Sequence, residues 1–306
     1  LGLSTLNETT YLIIDWGTTN FRAFAMGEHD NCIELRTLPL GLLQVPDGQF
    51  GSSLAEVLEA WLGRYQHLPI YMAGMVGSLK GWINVDYVST PASAALLSRG
   101  KHSFQLPWGV TGTIYPGISH QTDKQYDVMR GEEVQLLGLS LLTQKNELSA
   151  ILPGTHSKHA CIDRQQIVDF KSYLTGEVFS LLINHSLLGK GITLDDEFEE
   201  TSFLAGVDDA QQGEFTHQIF LGWTHRLFGK LSDSQVGDYL SGMLIGFELK
   251  QTSQPFYYLV GNQKMCERYQ FALNHLEKQS EIVCGDRCFL AGMIALKREE
   301  KHVYAI

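Results

Sequence analysis

Pro153-Gly154-Thr155-His156-Ser157-Lys158 sets small residues, hydroxyls and one cation between two apolar runs, Ile151-Leu152 and Ala160-Cys161-Ile162. A similar break, Asp15-Trp16-Gly17-Thr18-Thr19-Asn20, separates Tyr11-Leu12-Ile13-Ile14 from Phe21-Arg22-Ala23-Phe24. A tight hairpin of this composition turns several backbone N–H groups into one concavity. Glycine lets the backbone approach a ligand and hydroxyls add donors, so the chemistry is that of a phosphate cradle. A lone Gly-Thr turn is equally a steric convenience. Two matched hairpins in one chain are harder to read as turns alone; face to face they would grip a triphosphate. Asp15 suits a Mg²⁺ ion that keeps most of its waters, or else it caps its own turn. Lys158 suits a phosphoryl oxygen, or else it is a solvated surface lysine. His156 and His159 lack the third ligand that a zinc spacing needs.

Two further stretches carry polar handles. Arg130-Gly131-Glu132-Glu133 reads as the opening of a helix over about 130–142. Acidic residues there complement the helix dipole; equally, a carboxylate there can orient and deprotonate a hydroxyl. Met75-Val76-Gly77-Ser78, with Trp82, follows a buried strand end, where open α/β sheets place ligands. Read alone, that stretch is also a plain strand-to-loop corner.

The elements that must position these residues are legible as two copies of one unit. Strands are expected at 11–15, 21–26 (alternating) and 32–37. An amphipathic helix is expected from near Ser53, with Leu54, Val57, Leu58, Trp61, Leu62 and Tyr65 on one stripe. Strands at 70–74 and 112–117 and the helix over 130–142 complete the first copy. The pattern restarts with strands at 149–152, 158–163 and 167–172. Helices follow over 177–188, 197–211, 214–228 and 233–251. The chain then runs through a strand at 256–260, a helix at 263–277, a strand at 281–284 and a last helix. This places two α/β domains at 1–145 and 146–306.

With 306 residues, 44% of them hydrophobic, the chain can bury a large core. A net charge of −11 and the lack of a basic run argue against nucleic-acid and anionic-membrane partners. No apolar stretch is long enough to span a bilayer, and "LGLSTLNETT" reads as no signal peptide. Five scattered cysteines fit reduced thiols in a cytoplasmic protein.

In order, "DWGTTN", "MAGMVGS..GW", "MRGEE", "PGTHSK", "LTGE", "LLINHSL", "LSGMLIGFE" and a final "GD...AG" resemble the 2-dehydro-3-deoxygalactonokinase family of the actin–hexokinase–Hsp70 superfamily. The resemblance spans nearly the whole chain. It implies two ribonuclease-H-like domains, a duplicated actin/hexokinase-type fold with an interdomain cleft. It further implies Mg²⁺ and ATP-dependent phosphorylation of 2-dehydro-3-deoxy-D-galactonate at its 6-hydroxyl, in galactonate catabolism. Carried over by position, Asp15 would hold Mg²⁺ through water. Gly17, Thr18, Thr19 and Asn20 would cradle the phosphates opposite Gly154, Thr155, His156, Ser157 and Lys158. Met75, Val76, Gly77, Ser78, Trp82 and Arg130 would face the sugar acid. Similarity to exopolyphosphatases points to Glu133 as the base, with Glu132 the alternative. Gly261 and Asn262 fall at the adenosine-side loop, where Asn262-Gln263-Lys264 is bulkier than the small residues usual there. A phosphohydrolase of the same superfamily and an actin-like nucleotide switch are the competing readings, and a homodimer stays open.

Overall fold

Strand β1 (Tyr11–Trp16) is apolar on both faces, and it lies inside a six-stranded sheet. The computed structural model describes residues 8–192 and 197–303; most of the N-terminal stretch "LGLSTLNETT" lies outside them. Strands β2 (Phe21–Met26), β3 (Cys32–Leu38), β4 (Ile70–Ala73), β6 (His102–Gln105) and β7 (Thr111–Ile114) complete this sheet, in the order β3-β2-β1-β4-β7-β6. β1 pairs antiparallel with β2 and parallel with β4. The expected alternation of β2 is absent: every residue but Arg22 is buried. Phe21, Ala23 and Ala25 join the core under helix α1 (Phe50–Leu62). On the other face Phe24 stacks on Phe289 of the C-terminal helix, 6.0 Å between ring centres. Helix α1 begins a turn before Ser53 because buried Phe50 extends its apolar stripe, and it stops at Gly63, φ 71°.

A three-stranded sheet, β5 (Val88–Ser89), β8 (Ile118–Gln121) and β9 (Tyr126–Met129), escaped the sequence reading. Its strands are two to four residues long and largely polar, too short to show a period. Between β5 and β6 lies a short helix, α2 (Ala94–Arg99). β9 delivers the chain to helix α3 (Glu132–Thr143). That helix does not begin at Arg130, because Gly131 has φ 111°, outside helical space.

A second sheet is ordered β12-β11-β10-β13-β14, the same sequence of neighbours as β3-β2-β1-β4-β7 in the first. Its strands are β10 (Glu147–Leu152), β11 (Ser157–Asp163), β12 (Gln166–Tyr173), β13 (Phe256–Gly261) and β14 (Gln279–Cys284). Helices α4 (Thr175–His185), α5 (Glu200–Gln212), α6 (Phe215–Leu227), α7 (Gln235–Leu249) and α8 (Gln263–His275) pack with them, and α9 (Gly285–Val303) ends the chain. Two units result. One comprises Leu1–Glu147, Cys161–Phe170 and Asp286–Ile306; the other comprises Leu148–Ala160 and Lys171–Gly285. Among the described residues no helix is long and apolar enough to cross a membrane.

Candidate active site

In the first unit, Asp15 and Arg22 are cross-strand partners on β1 and β2, so their side chains share a face of the sheet. Arg22 pairs with Asp15 Oδ2 and with Asp286 at the start of α9. Asp15 therefore does not cap its turn; the Gly17 N–H closes it by donating to the Asn20 carbonyl at 2.9 Å. Burial raises the Asp15 carboxyl above its ordinary range, opposed by Arg22 and reinforced by Asp286. Asp15 Oδ1 accepts no hydrogen bond from a described residue. It lies 3.0 Å from where a Cβ on Gly74 would sit, and Gly74 has φ 95°. A hard carboxylate oxygen beside a residue that leaves room fits a hydrated Mg²⁺ held by one protein ligand. Among the described residues, no three His, Cys, Asp or Glu side chains gather into a fuller metal cage.

The hairpin at 17–20 is braced by its carbonyls. Those of Gly17, Thr18 and Thr19 accept from the N–H groups of Leu42, Leu43 and Gly41. The N–H groups of exposed Thr18 and Thr19 donate to no described acceptor, which is the arrangement of an anion nest. The loop after β4 brings Gly77 to Arg130: a Cβ on Gly77 would lie 3.0 Å from Arg130 Nη1. Arg130 Nη2 donates to the Val85 carbonyl at 2.7 Å, and the guanidinium lies 4.3 Å from the Tyr87 ring centre. Arg130 Nε and Nη1 and Ser78 Oγ are buried without a hydrogen-bond partner among the described residues. Val76 points into the core, Met75 is partly exposed, and Trp82 packs among Trp16, Phe50 and Phe104.

Both glutamates of α3 turn back on the backbone that precedes the helix. Glu132 Oε2 accepts from the Arg130 N–H at 3.2 Å, and Glu133 Oε2 accepts from the Gly131 N–H at 2.7 Å. Glu133 is fully buried, and its Oε1 has no partner among the described residues. Burial first, then the charge of Glu132, pushes its carboxyl up to about 8. Gly131 approaches Gly74, with 3.4 Å between a Cβ there and Gly74 Cα, so α3 starts beside the strand end that flanks Asp15.

In the second unit, Gly154, Thr155 and His156 turn outward while Ser157 and Lys158 are buried. A lysine 4% exposed is not the solvated surface residue of the bland reading. The Thr155 carbonyl accepts from the Glu177 N–H at 3.0 Å, and His156 pairs with Glu177. Gly176 lets α4 press on the loop, since a Cβ there would lie 2.5 Å from the Gly154 carbonyl oxygen. Gly261, φ 153°, runs beside Pro153. Asn262 caps α8 by accepting from the Met265 N–H. A hollow of about 250 Å³ opens next to Gly176, lined among others by Ser234, Asp238, Ser241 and Arg268. No local sequence pattern singles out these residues; Ser241 alone of the four falls within a quoted motif, "LSGMLIGFE".

The profile of the 2-keto-3-deoxy-galactonokinase family matches residues 15–296. The chain is 35% identical over 289 residues to the 2-dehydro-3-deoxygalactonokinase of Escherichia coli K12, covering 92% of this chain and 96% of that protein. The crystal structure of a candidate 2-dehydro-3-deoxygalactonokinase from Sinorhizobium meliloti superposes with a TM-score of 0.87 at 27% identity, covering 97% of this chain and 100% of that one. The activator of the 2-hydroxyisocaproyl-CoA dehydratase from Clostridium difficile shares the fold at 10% identity. Its TM-score is 0.50, over 97% of each chain.

Proposed function

The chain belongs to the 2-keto-3-deoxy-galactonokinase family of sugar kinases, and on that premise we propose that it transfers the γ-phosphoryl group of ATP to the 6-hydroxyl of 2-dehydro-3-deoxy-D-galactonate. Membership in a kinase family sets aside the phosphohydrolase and nucleotide-switch readings. The observation that carries the substrate reading is a set of buried polar atoms without partners among the described residues, Arg130 Nε and Nη1, Ser78 Oγ and Glu133 Oε1. Buried groups of this kind are normally satisfied, and each calls for an explanation. A sugar acid supplies one: its carboxylate accepts from Arg130, as planar guanidinium favours, and its hydroxyls meet Ser78.

Division of labour follows the two units. The first holds the sugar acid and the hairpin at 17–20. The second holds the hairpin at 154–158 and, in the hollow beside Gly176, the nucleoside. Asp15 would hold a hydrated Mg²⁺, which when bound neutralises charge developing on the phosphates. Glu133 Oε1 takes the proton of the 6-hydroxyl as that oxygen bonds to the γ-phosphorus; the bond from phosphorus to the β-phosphate bridging oxygen breaks, and ADP leaves. ATP consumption measured against a panel of 2-keto-3-deoxy sugar acids tests the reading. Turnover with the galactonate-derived acid well above its epimers is expected. Equal ATP loss without any sugar acid would overturn it.

A further inference from the structure

Glu248, near the end of α7, is 1% exposed at its side chain and receives four side-chain hydrogen bonds. Ser157 Oγ and His159 Nε2 donate to Oε1, each at 2.7 Å. Tyr269 O–H donates to Oε2 at 2.7 Å, and Thr175 Oγ1 donates to the same oxygen. The donors come from three elements: Ser157 and His159 from β11, where the hairpin ends, Thr175 from the first residue of α4, and Tyr269 from α8. An ionised carboxylate only accepts, so four donors saturate both oxygens. Hydrogen bonds to a buried charge are the strong class, and removing such a hub leaves several donors unmatched at once.

The pattern of donors along β11 has a consequence for its neighbours. Side chains alternate across a strand. Fixing Ser157 and His159 to Glu248 on one face turns Lys158, between them, to the other. Thr175 immediately precedes Gly176, which presses on Gly154 and Thr155. The carboxylate thus holds the hairpin from below through Ser157 and from the side through α4.

We propose that Glu248 is a positioning residue for the nucleotide: it touches no substrate, but it locks the hairpin at 154–158 in the conformation that presents its N–H groups and Lys158. The proposal rests on the reading that this hairpin holds phosphates, so its test must separate the two. Glu248→Gln keeps the volume but turns an amide N–H₂ toward groups that are themselves donors. Tyr269→Phe removes one of the four hydrogen bonds and leaves the core filled. ADP affinity by titration calorimetry, KM for ATP, KM for the sugar acid and melting temperature are measured on each variant.

Glu248→Gln is expected to weaken ADP binding and raise KM for ATP by roughly tenfold or more, the scale of a lost hydrogen bond to a charge. KM for the sugar acid should stay within about twofold, a split that general destabilisation would not give. Tyr269→Phe should move the same quantities in the same direction by less, and it covers the case in which Glu248→Gln fails to fold. Lower melting temperatures with unchanged ADP affinity in both variants, or equal rises in both KM values, would overturn the proposal. Gly154→Val distinguishes the failures, because a Cβ at 154 enters open space and disturbs no packing. If that variant loses ADP while the other two keep it, the positioning role alone falls. If all three bind ADP like the parent, the hairpin holds no phosphate, and the nucleotide half of the proposed function falls with it.

Discussion

The proposed function asks one side chain, Glu133, both to cap a helix and to accept a proton. Oε2 is occupied by the Gly131 N–H, whereas Oε1 is buried and unmatched. With its carboxyl pushed up to about 8, mainly by burial and then by Glu132, Glu133 is protonated in the free protein at neutral pH. A base must first lose that proton, so kcat/KM should climb with pH and level off above about 8. Glu133→Gln should abolish that limb and lower kcat by roughly 10²–10⁴-fold. Glu132→Gln removes a neighbouring charge that raises Glu133, so it should move the limb to lower pH while keeping turnover. The reverse pattern in the two variants would make Glu132 the base. Linkage adds a second signature. Between the ordinary value of 4.5 and about 8, the folded protein keeps a proton that the unfolded chain has released. Stability is therefore lost as pH rises through that window. Glu133→Gln escapes this loss, so its melting temperature relative to the parent should rise between about pH 5 and about pH 8. A difference independent of pH would mean that Glu133 is not held protonated.

Helix α3 meets α9 through glycine on both sides. A Cβ on Gly138 would stand 1.8 Å from the Cys288 carbonyl oxygen, and one on Gly292 would stand 2.0 Å from that of Val134. Those are backbone collisions, not rotamer problems, so a methyl can enter only if the helices separate. The crossing thereby sets how deep α3 lies, and with it Glu133, the residue before Val134. Gly138→Ala should destabilise by about 1–3 kcal/mol or more, the usual scale of overpacking. It should also lower kcat, because the carboxylate moves with its helix. Denaturant unfolding and steady-state kinetics on the same variant check both. Stability within error of the parent would show that the crossing yields without strain. Gly154→Ala is the matched control, since nothing lies within 4 Å of a Cβ there, and its unfolding midpoint should not move.

On the proposed function, the whole molecule binds two anions on a chain of net charge −11. The local donors for them would be Arg130 in one unit, Lys158 in the other, and backbone N–H groups in both hairpins. If labour divides by unit, ligands should protect different segments from hydrogen exchange. The sugar acid alone should slow exchange around 76–85 and 128–133. ADP alone should slow it around 153–158, 175–177 and 261–268. Protection of the first set by ADP and of the second by the sugar acid would reverse the assignment of units.

The strands that flank the two Gly-Thr hairpins, the restart of the pattern after 145 and the hairpins themselves were legible from sequence. Each rests on local information: apolar runs, turn residues and 3.6-residue stripes. The duplicated strand order agrees with that reading. What only tertiary structure decided is how side chains far apart in sequence meet. Arg22 lies one β-hairpin from Asp15, yet the Asp286 that completes their cluster comes 264 residues later. Glu248 ends the motif "LSGMLIGFE", and only the fold shows that Ser157, His159, Thr175 and Tyr269 close around it. Sequence spacing even misled at Arg130 and Glu133. Three residues apart, they should share a helical face, but the positive φ of Gly131 puts Arg130 outside the helix, with its guanidinium bonded to Val85. Local pattern reports which backbone a segment prefers. Which buried polar atoms find partners, and which are left for a ligand, depends on long-range packing, and no window of sequence contains it.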